Sequence, residues 1–200
     1  MPTEIEITLE PMAGLVREHL VIDATADAAR VAAEEAARAP EDADLVADAL
    51  TKLLHLETFM EQRLELHMAK EEDILFPALC LDDATTTTVE ELLEQHVEIQ
   101  ARHAELRAAL AVLDQAHEEV NAQRQRLSDG LRAAGSHPTP GQMTELWETV
   151  RRLHWIFQGH FGDEEDDLFG PAETLLTTEQ LADLDRKTRE LEASWATRSR

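Results

Sequence analysis

The sequence predicts an all-α protein, an antiparallel up-down-up-down four-helix bundle with an additional C-terminal helix. Apolar residues recur at alternating steps of three and four along most of the chain, and this spacing places them on one face of a helix. The 200 residues include only seven Gly and seven Pro, and these cluster, so long stretches remain for helices. Four such stretches suit an up-down-up-down bundle.

Proline and acidic residues mark the limits of the first two predicted helices. The first helix is predicted from Pro11 to Arg38, and Pro40 follows it. Acidic residues around Asp42 then supply the negative charge that the start of a helix favours. The second helix is predicted to end at Pro77, because proline lacks the backbone N–H that a helix interior needs.

Three further helices are predicted in the rest of the chain. The third is capped at Thr88 and has a regular apolar seam from Val89 to Val120. The fourth begins at Pro140, with Thr139 as its cap, and is predicted to end before Gly170 and Pro171. A last amphipathic segment forms the fifth helix, which docks either on the bundle or on a partner.

These elements predict two regions. Residues 1–172 form the four-helix bundle, and residues 173–200 form the C-terminal amphipathic helix packed on the bundle or on a partner. If the helix packs on a partner, a second copy of the chain is one candidate, which would make the protein a homo-oligomer.

Charge and cysteine content exclude several classes of function. The net charge of −24 argues against binding to nucleic acid, whose phosphates require Lys and Arg, and against an anionic membrane surface. No segment is long and apolar enough to span a bilayer. Cys80 alone allows no internal disulfide, and residues 1–10 lack the pattern of a secretory signal. We therefore expect a cytoplasmic protein.

An internal repeat carries the strongest functional signal. The segment from His67 to Pro77 and the segment from His160 to Pro171 share a His-x-x-x-Glu-Glu-Asp-x-Leu-Phe pattern, and a proline follows in both. Farther upstream, the surroundings of His19 resemble those of His96. The chain therefore resembles two related hairpins, each with one His on its first helix and His-x-x-x-Glu on its second.

This pattern predicts a metal site. Residues four apart on a helix face the same way, so each His and Glu of the repeat can reach the same ion. A single His on an apolar stripe is usually an ordinary core residue, but an unpaired buried carboxylate is costly, and six such residues at one level of the bundle are not explained by chance. The predicted ligands are His19, His67, Glu71, His96, His160 and Glu164.

These residues and the repeated Glu-Glu-Asp-x-Leu-Phe tails make residues 10 to 172 similar to the hemerythrin-like (HHE) cation-binding domain family. The resemblance implies a four-helix bundle with a non-heme di-iron centre bridged by Glu71 and Glu164. It also implies that His19 and His67 bind one iron, whereas His96 and His160 bind the other.

One position departs from the oxygen-carrying members of that family. Where they have a further His one turn after the ligand of the third helix, this chain has Gln100. His103 lies too far along the helix to replace it and is expected to line the core below the site. Asp23 is a candidate for an extra ligand, and Glu165 for an alternative bridge. Otherwise each iron keeps an open position, which favours activation of peroxide or oxygen over simple carriage. The small ligand of such a centre is expected to be O2, peroxide or NO.

Several functions stay open on the sequence alone. A di-iron protein could be a sensor, a carrier or an enzyme of the catalase, peroxidase or oxidase kind. The chain could instead be an iron-sensing or iron-storage switch, or a metal-free helical interaction module. Imidazole and carboxylate ligands also suit manganese or zinc, so the pattern does not select iron by itself.

Overall fold

The computed structural model of the chain describes residues 7–79, 122–123, 125–127, 129 and 138–198. Within these ranges the ordered elements are helices and no strand occurs, which confirms the all-α prediction for this part of the chain. The third predicted helix, from Thr88 to Val120, lies outside the described residues. The antiparallel four-helix topology therefore stays a prediction.

The observed span of the first helix agrees closely with the predicted span. It is α1 (Met12–Arg38), one residue shorter than predicted. A turn leads to α2 (Ala43–Phe59), where the Asp42 side chain accepts hydrogen bonds from the backbone N–H of Asp44 at 3.1 Å and Leu45 at 3.2 Å. This cap satisfies two N–H groups that have no partner within the helix, so α2 begins where the acidic residues indicated.

Residues 43–79 form one continuous helical stretch that twice widens into a π-helix. A π-helical segment at Met60–Leu64 separates α2 from α3 (Glu65–Lys70). A second π-helical segment, Glu71–Leu75, leads into α4 (Phe76–Leu79). The prediction that Pro77 ends this helix is wrong. Pro77 is the second residue of α4 and lies inside the helical stretch, where the preceding π-helical turn, in which the Phe76 N–H bonds to the Glu71 carbonyl, replaces the regular α-helical pattern that a proline would interrupt.

Residues 140–175 form another continuous helical stretch. It begins with α5 (Pro140–Asp163), whose first N–H groups are capped as predicted by Thr139: its Oγ1 accepts from the Gln142 N–H at 3.3 Å. A π-helical segment at Glu164–Phe169 and then α6 (Gly170–Leu175) continue the helix. The prediction that it ends before Gly170 and Pro171 is wrong, because both lie in the first turn of α6.

The last helix is α7 (Thr178–Arg198). Its start is capped by Thr177, whose Oγ1 accepts a hydrogen bond from the Gln180 N–H at 3.2 Å. Leu184 is its most buried apolar residue, and it lies in a hydrophobic cluster with residues of the first two and the fourth predicted helices. Leu184 and the partly buried Leu181 thus pack on residues of the same chain.

Contacts divide the chain into two compact units. The first comprises residues 1–16, 67–115 and 162–200, and the second comprises residues 17–66 and 116–161. The first unit contains a hydrophobic cluster of Met12, Leu15, Leu75, Phe76, Leu79, Leu168, Phe169, Ala172, Leu176 and Leu184. The second unit buries, among others, Ile22, Leu53, Leu56, Val150, Leu153 and Phe157. Among the described helices, none combines the length and apolarity needed to cross a bilayer.

Candidate metal centre

Burial of polar side chains singles out the candidate site. In the described part of the chain, seven polar or charged residues are buried, and five of them are predicted ligands. Those five are His19, His67, Glu71, His160 and Glu164. Glu71 and Glu164 are both 0% exposed, although a carboxylate is among the groups that proteins bury least. Something other than ordinary packing must favour their positions.

The two repeated motifs share an unusual backbone feature. Glu71 and Glu164 are each the first residue of a π-helical segment, Glu71–Leu75 and Glu164–Phe169. Within the first motif, His67 Nε2 lies 3.0 Å from Glu71 Oε1. Short π-helical turns are frequent at functional sites. The sequence gives no sign of these turns, because they add one residue to a turn without requiring a particular residue type.

Four predicted ligands meet in one group. His19, His67, Glu71 and Glu164 each offer a ligand atom, and these atoms all lie within 4.8 Å of one another. His160 is 4% exposed but does not belong to this group. His96, Gln100 and His103 lie outside the described residues, so the second half of the predicted ligand set stays a prediction.

The chemistry of this group fits a metal ion. Two imidazoles and two carboxylates without solvent need a positive charge among them, because an uncompensated buried carboxylate is strongly unfavourable. Imidazole and carboxylate are donors that divalent transition metals accept. Two ligands that each lie about 2.1 Å from one ion are at most about 4.2 Å apart, so ligand atoms within 4.8 Å require only small shifts. The group indicates metal binding.

An aromatic side chain that the sequence did not single out lies against one ligand. The ring of Phe161 stacks on the His19 imidazole, with centroids 4.1 Å apart and planes inclined by 10°. Phe157 stacks in turn on Phe161 at 5.5 Å. These rings restrict the orientation of the imidazole and keep water from its face. Phe161 follows His160 directly, but the repeat has Met68 at the matching position, so comparing the two motifs did not reveal its role.

The two candidate extra residues lie outside the group. Asp23 accepts a hydrogen bond from the Gln158 side-chain amide, and its Oδ1 lies 3.1 Å from His154 Nε2. This carboxylate is therefore engaged by α5 at the surface. Glu165 is only partly buried, in contrast to the fully buried Glu164. Of these two glutamates in the second motif, Glu164 is therefore the more deeply buried.

Replacing Asp23 by asparagine tests whether Asp23 is a metal ligand. We expect bound metal to stay unchanged, since Asp23 is not among the grouped residues. The free energy of unfolding should fall by about 0.5–1.5 kcal/mol through the weakened contacts to His154 and Gln158. Metal analysis and urea unfolding of the purified variant measure both quantities. A loss of bound metal would show that Asp23 is a ligand.

Exposed carboxylates surround the buried ones in sequence. Glu72 and Asp73 follow Glu71, and Asp163 and Asp166 flank Glu164, and all four are exposed. They are solvated and have no ligand role in the group. Their charges make the surface strongly negative at the helical turns that carry the two buried glutamates.

Comparison with known protein families bears on the first half of the chain. Residues 10–112 match the Hemerythrin HHE cation binding domain family, which is just over half of the 200-residue chain and confirms the resemblance seen in the sequence. No curated protein and no solved structure matches the chain. The matched range contains His19, His67, Glu71 and His96 but ends before the second motif. Glu164 is connected to the first motif by the structure, through the group it shares with His67 and Glu71.

Proposed function

Because this chain belongs to the hemerythrin HHE cation-binding domain family, we propose that it is a non-heme di-iron protein that binds or reacts with O2, peroxide or NO. The observation that carries the proposal is the buried group of His19, His67, Glu71 and Glu164, whose ligand atoms lie within 4.8 Å of one another. Every iron-based function of this chain requires that the group binds metal. The proposal adds that the bound iron binds or reacts with a small molecule.

The proposal assigns the second iron to the second half of the repeat. His160 precedes Glu164 by one helical turn, as His67 precedes Glu71, and its burial at 4% supports a ligand role. His96 would complete this half, and Glu71 and Glu164 would hold the two ions together with the histidines. When bound, iron with an open coordination position supplies the redox chemistry that O2 or peroxide requires. The chain's own residues hold the ions, and Phe161 shields the His19 side from water.

Three further parts of the proposal rest on sequence alone. Manganese or zinc would satisfy the same imidazole and carboxylate donors, so iron is the family expectation. The cytoplasm is proposed as the compartment because Cys80 has no partner cysteine. The antiparallel four-helix topology and the regions 1–172 and 173–200 complete the proposed architecture.

The number of ions tests the second half-site. The unaltered chain should bind about two irons, as two-metal sites do. Each of His96→Ala and His160→Ala should leave about one. Metal analysis after anaerobic loading with Fe2+ gives these numbers, and His154→Ala serves as a control that should bind the full amount. A chain that binds a single iron whether or not His96 and His160 are present would refute the di-iron proposal.

An absorbance titration tests the reaction with small molecules. The reduced, iron-loaded protein is moved from anaerobic to aerobic buffer while its visible spectrum is followed. A carrier or sensor gives a band that forms with O2 and disappears when O2 is removed. An enzyme instead consumes peroxide continuously, and this activity should be lost in His67→Ala. If no band forms with O2 or NO and no peroxide is consumed, the protein binds iron for storage or sensing.

A further inference from the structure

The C-terminal helix touches the ligand-bearing segment through a buried charge. Lys70 directly precedes Glu71 and is only 4% exposed, and its Nζ lies 2.7 Å from Oε1 of Glu192 on α7, whose side chain is 46% exposed. Lysine is almost never buried unless it is paired, because an unpaired ammonium in the interior is very unfavourable. Other ion pairs of α7 are different in kind. Arg186 and Glu190, for example, are both well exposed and belong to the same helix.

A second contact links α7 to the far end of the same segment. Leu75 is the last residue of the π-helical segment Glu71–Leu75, and it shares a hydrophobic cluster with Leu184 of α7. The helix and the π-helical segment are in direct contact. The C-terminal helix therefore contacts Lys70 just before the segment and shares a hydrophobic cluster with Leu75 at its end. Glu71 lies between these two points.

We propose that Lys70 and Glu192 form a positioning contact for the metal centre, through which the C-terminal helix fixes the orientation of the Glu71 carboxylate. A π-helical turn is an uncommon conformation, and this one is held by contacts from a helix distant in sequence. The inference rests on the proposed function only to the extent that Glu71 binds a metal. It holds for iron, manganese or zinc alike.

This arrangement couples the C-terminal helix to metal binding. If docking of α7 favours the orientation in which Glu71 binds metal, then bound metal must favour docking of α7 to the same extent, because such coupling is reciprocal. Metal binding would then be sensed at the surface of α7. The helix that the sequence offers as a contact for a partner would report whether the centre is loaded.

The test measures binding of Co2+, which accepts the same donors and has d–d absorption bands that report its coordination. The full-length chain is compared with Glu192→Gln, which removes the carboxylate that lies against Lys70 Nζ, and with Glu190→Gln. The second variant removes an equal charge from the same helix without touching Lys70. We expect Glu192→Gln to weaken Co2+ binding about tenfold and to change the d–d spectrum at saturation, as loss of groups that support ligands does. Glu190→Gln should match the unaltered chain.

Two results would overturn the inference. One is a Glu192→Gln variant with unaltered Co2+ affinity and spectrum, which would make the contact merely structural. The other is an equal loss in both variants, which would reduce the effect to general charge. If Glu192→Gln does not fold, as judged by circular dichroism, Glu192→Asp replaces it under the same criteria, because its carboxylate falls one methylene short. Failure of the unaltered chain to bind Co2+ would instead refute metal binding itself.

Discussion

Glu71→Gln should abolish tight metal binding and at the same time make the metal-free protein more stable. Without metal, Glu71 and Glu164 bring two fully buried carboxylates into one group with His19 and His67. Glutamine keeps the shape of the side chain but removes one of these charges. Two like charges in a site without solvent repel each other and lose their hydration, so we expect removal of one of them to raise the free energy of unfolding by about 1–3 kcal/mol.

The loss of metal binding should be larger than any effect on supporting residues. Those residues typically change metal affinity by about 10–100-fold, so loss of a ligand should exceed about 100-fold. Isothermal titration with Fe2+ without oxygen and urea unfolding of the metal-free protein measure the two effects. Glu72→Gln is the matched control, because Glu72 is adjacent but exposed. A metal-free Glu71→Gln variant that is less stable than the unaltered chain would show that the two buried carboxylates do not destabilise the metal-free protein.

Removal of metal should lower the melting temperature of the unaltered protein substantially. A ligand present at 100 times its dissociation constant stabilises the folded state by about 2.7 kcal/mol. For a chain of this size, each kcal/mol corresponds to about 2–4 °C, so chelation should lower the melting temperature by roughly 5–11 °C. Calorimetry before and after treatment with a chelator measures the change.

The Glu71→Gln variant provides the control for this experiment. Its melting temperature should be insensitive to the chelator, because it no longer holds the metal tightly. A metal-free interaction module predicts the opposite for the unaltered chain, namely full thermal stability after chelation. That result would also mean that a bound metal does not explain the burial of Glu71 and Glu164.

Local signals in the sequence predicted much of the described fold. The span of α1 follows from its apolar periodicity and Pro40, and the start of α5 follows from Thr139 and Pro140. These features depend on neighbouring residues alone, so a single sequence contains them. The sequence also predicted the four grouped residues His19, His67, Glu71 and Glu164 as ligands. Histidines and carboxylates at a spacing of four on apolar helix faces have few explanations other than a shared ion.

The remaining features depend on contacts that a sequence pattern does not contain. Pro77 and Pro171 are ordinary signals for the end of a helix, yet both lie in first turns of helical segments that follow a π-helical turn. The sequence alone predicts that Lys70 is exposed at the surface. Its burial depends on Glu192, which lies more than a hundred residues later in the chain and contacts it only in the folded protein. Phe161 similarly becomes significant only through its stacking on His19.

The exposed carboxylates next to the buried glutamates have a consequence for the kinetics of the centre. Glu72, Asp73, Asp163 and Asp166 lie on the turns around Glu71 and Glu164, in a chain whose net charge is −24. A surface of one sign speeds the arrival of oppositely charged ions and slows that of like-charged ones, and added salt weakens both effects. We therefore expect the rate of metal uptake to fall as ionic strength rises. Uncharged molecules such as O2, NO and hydrogen peroxide should arrive at a rate that salt leaves unchanged.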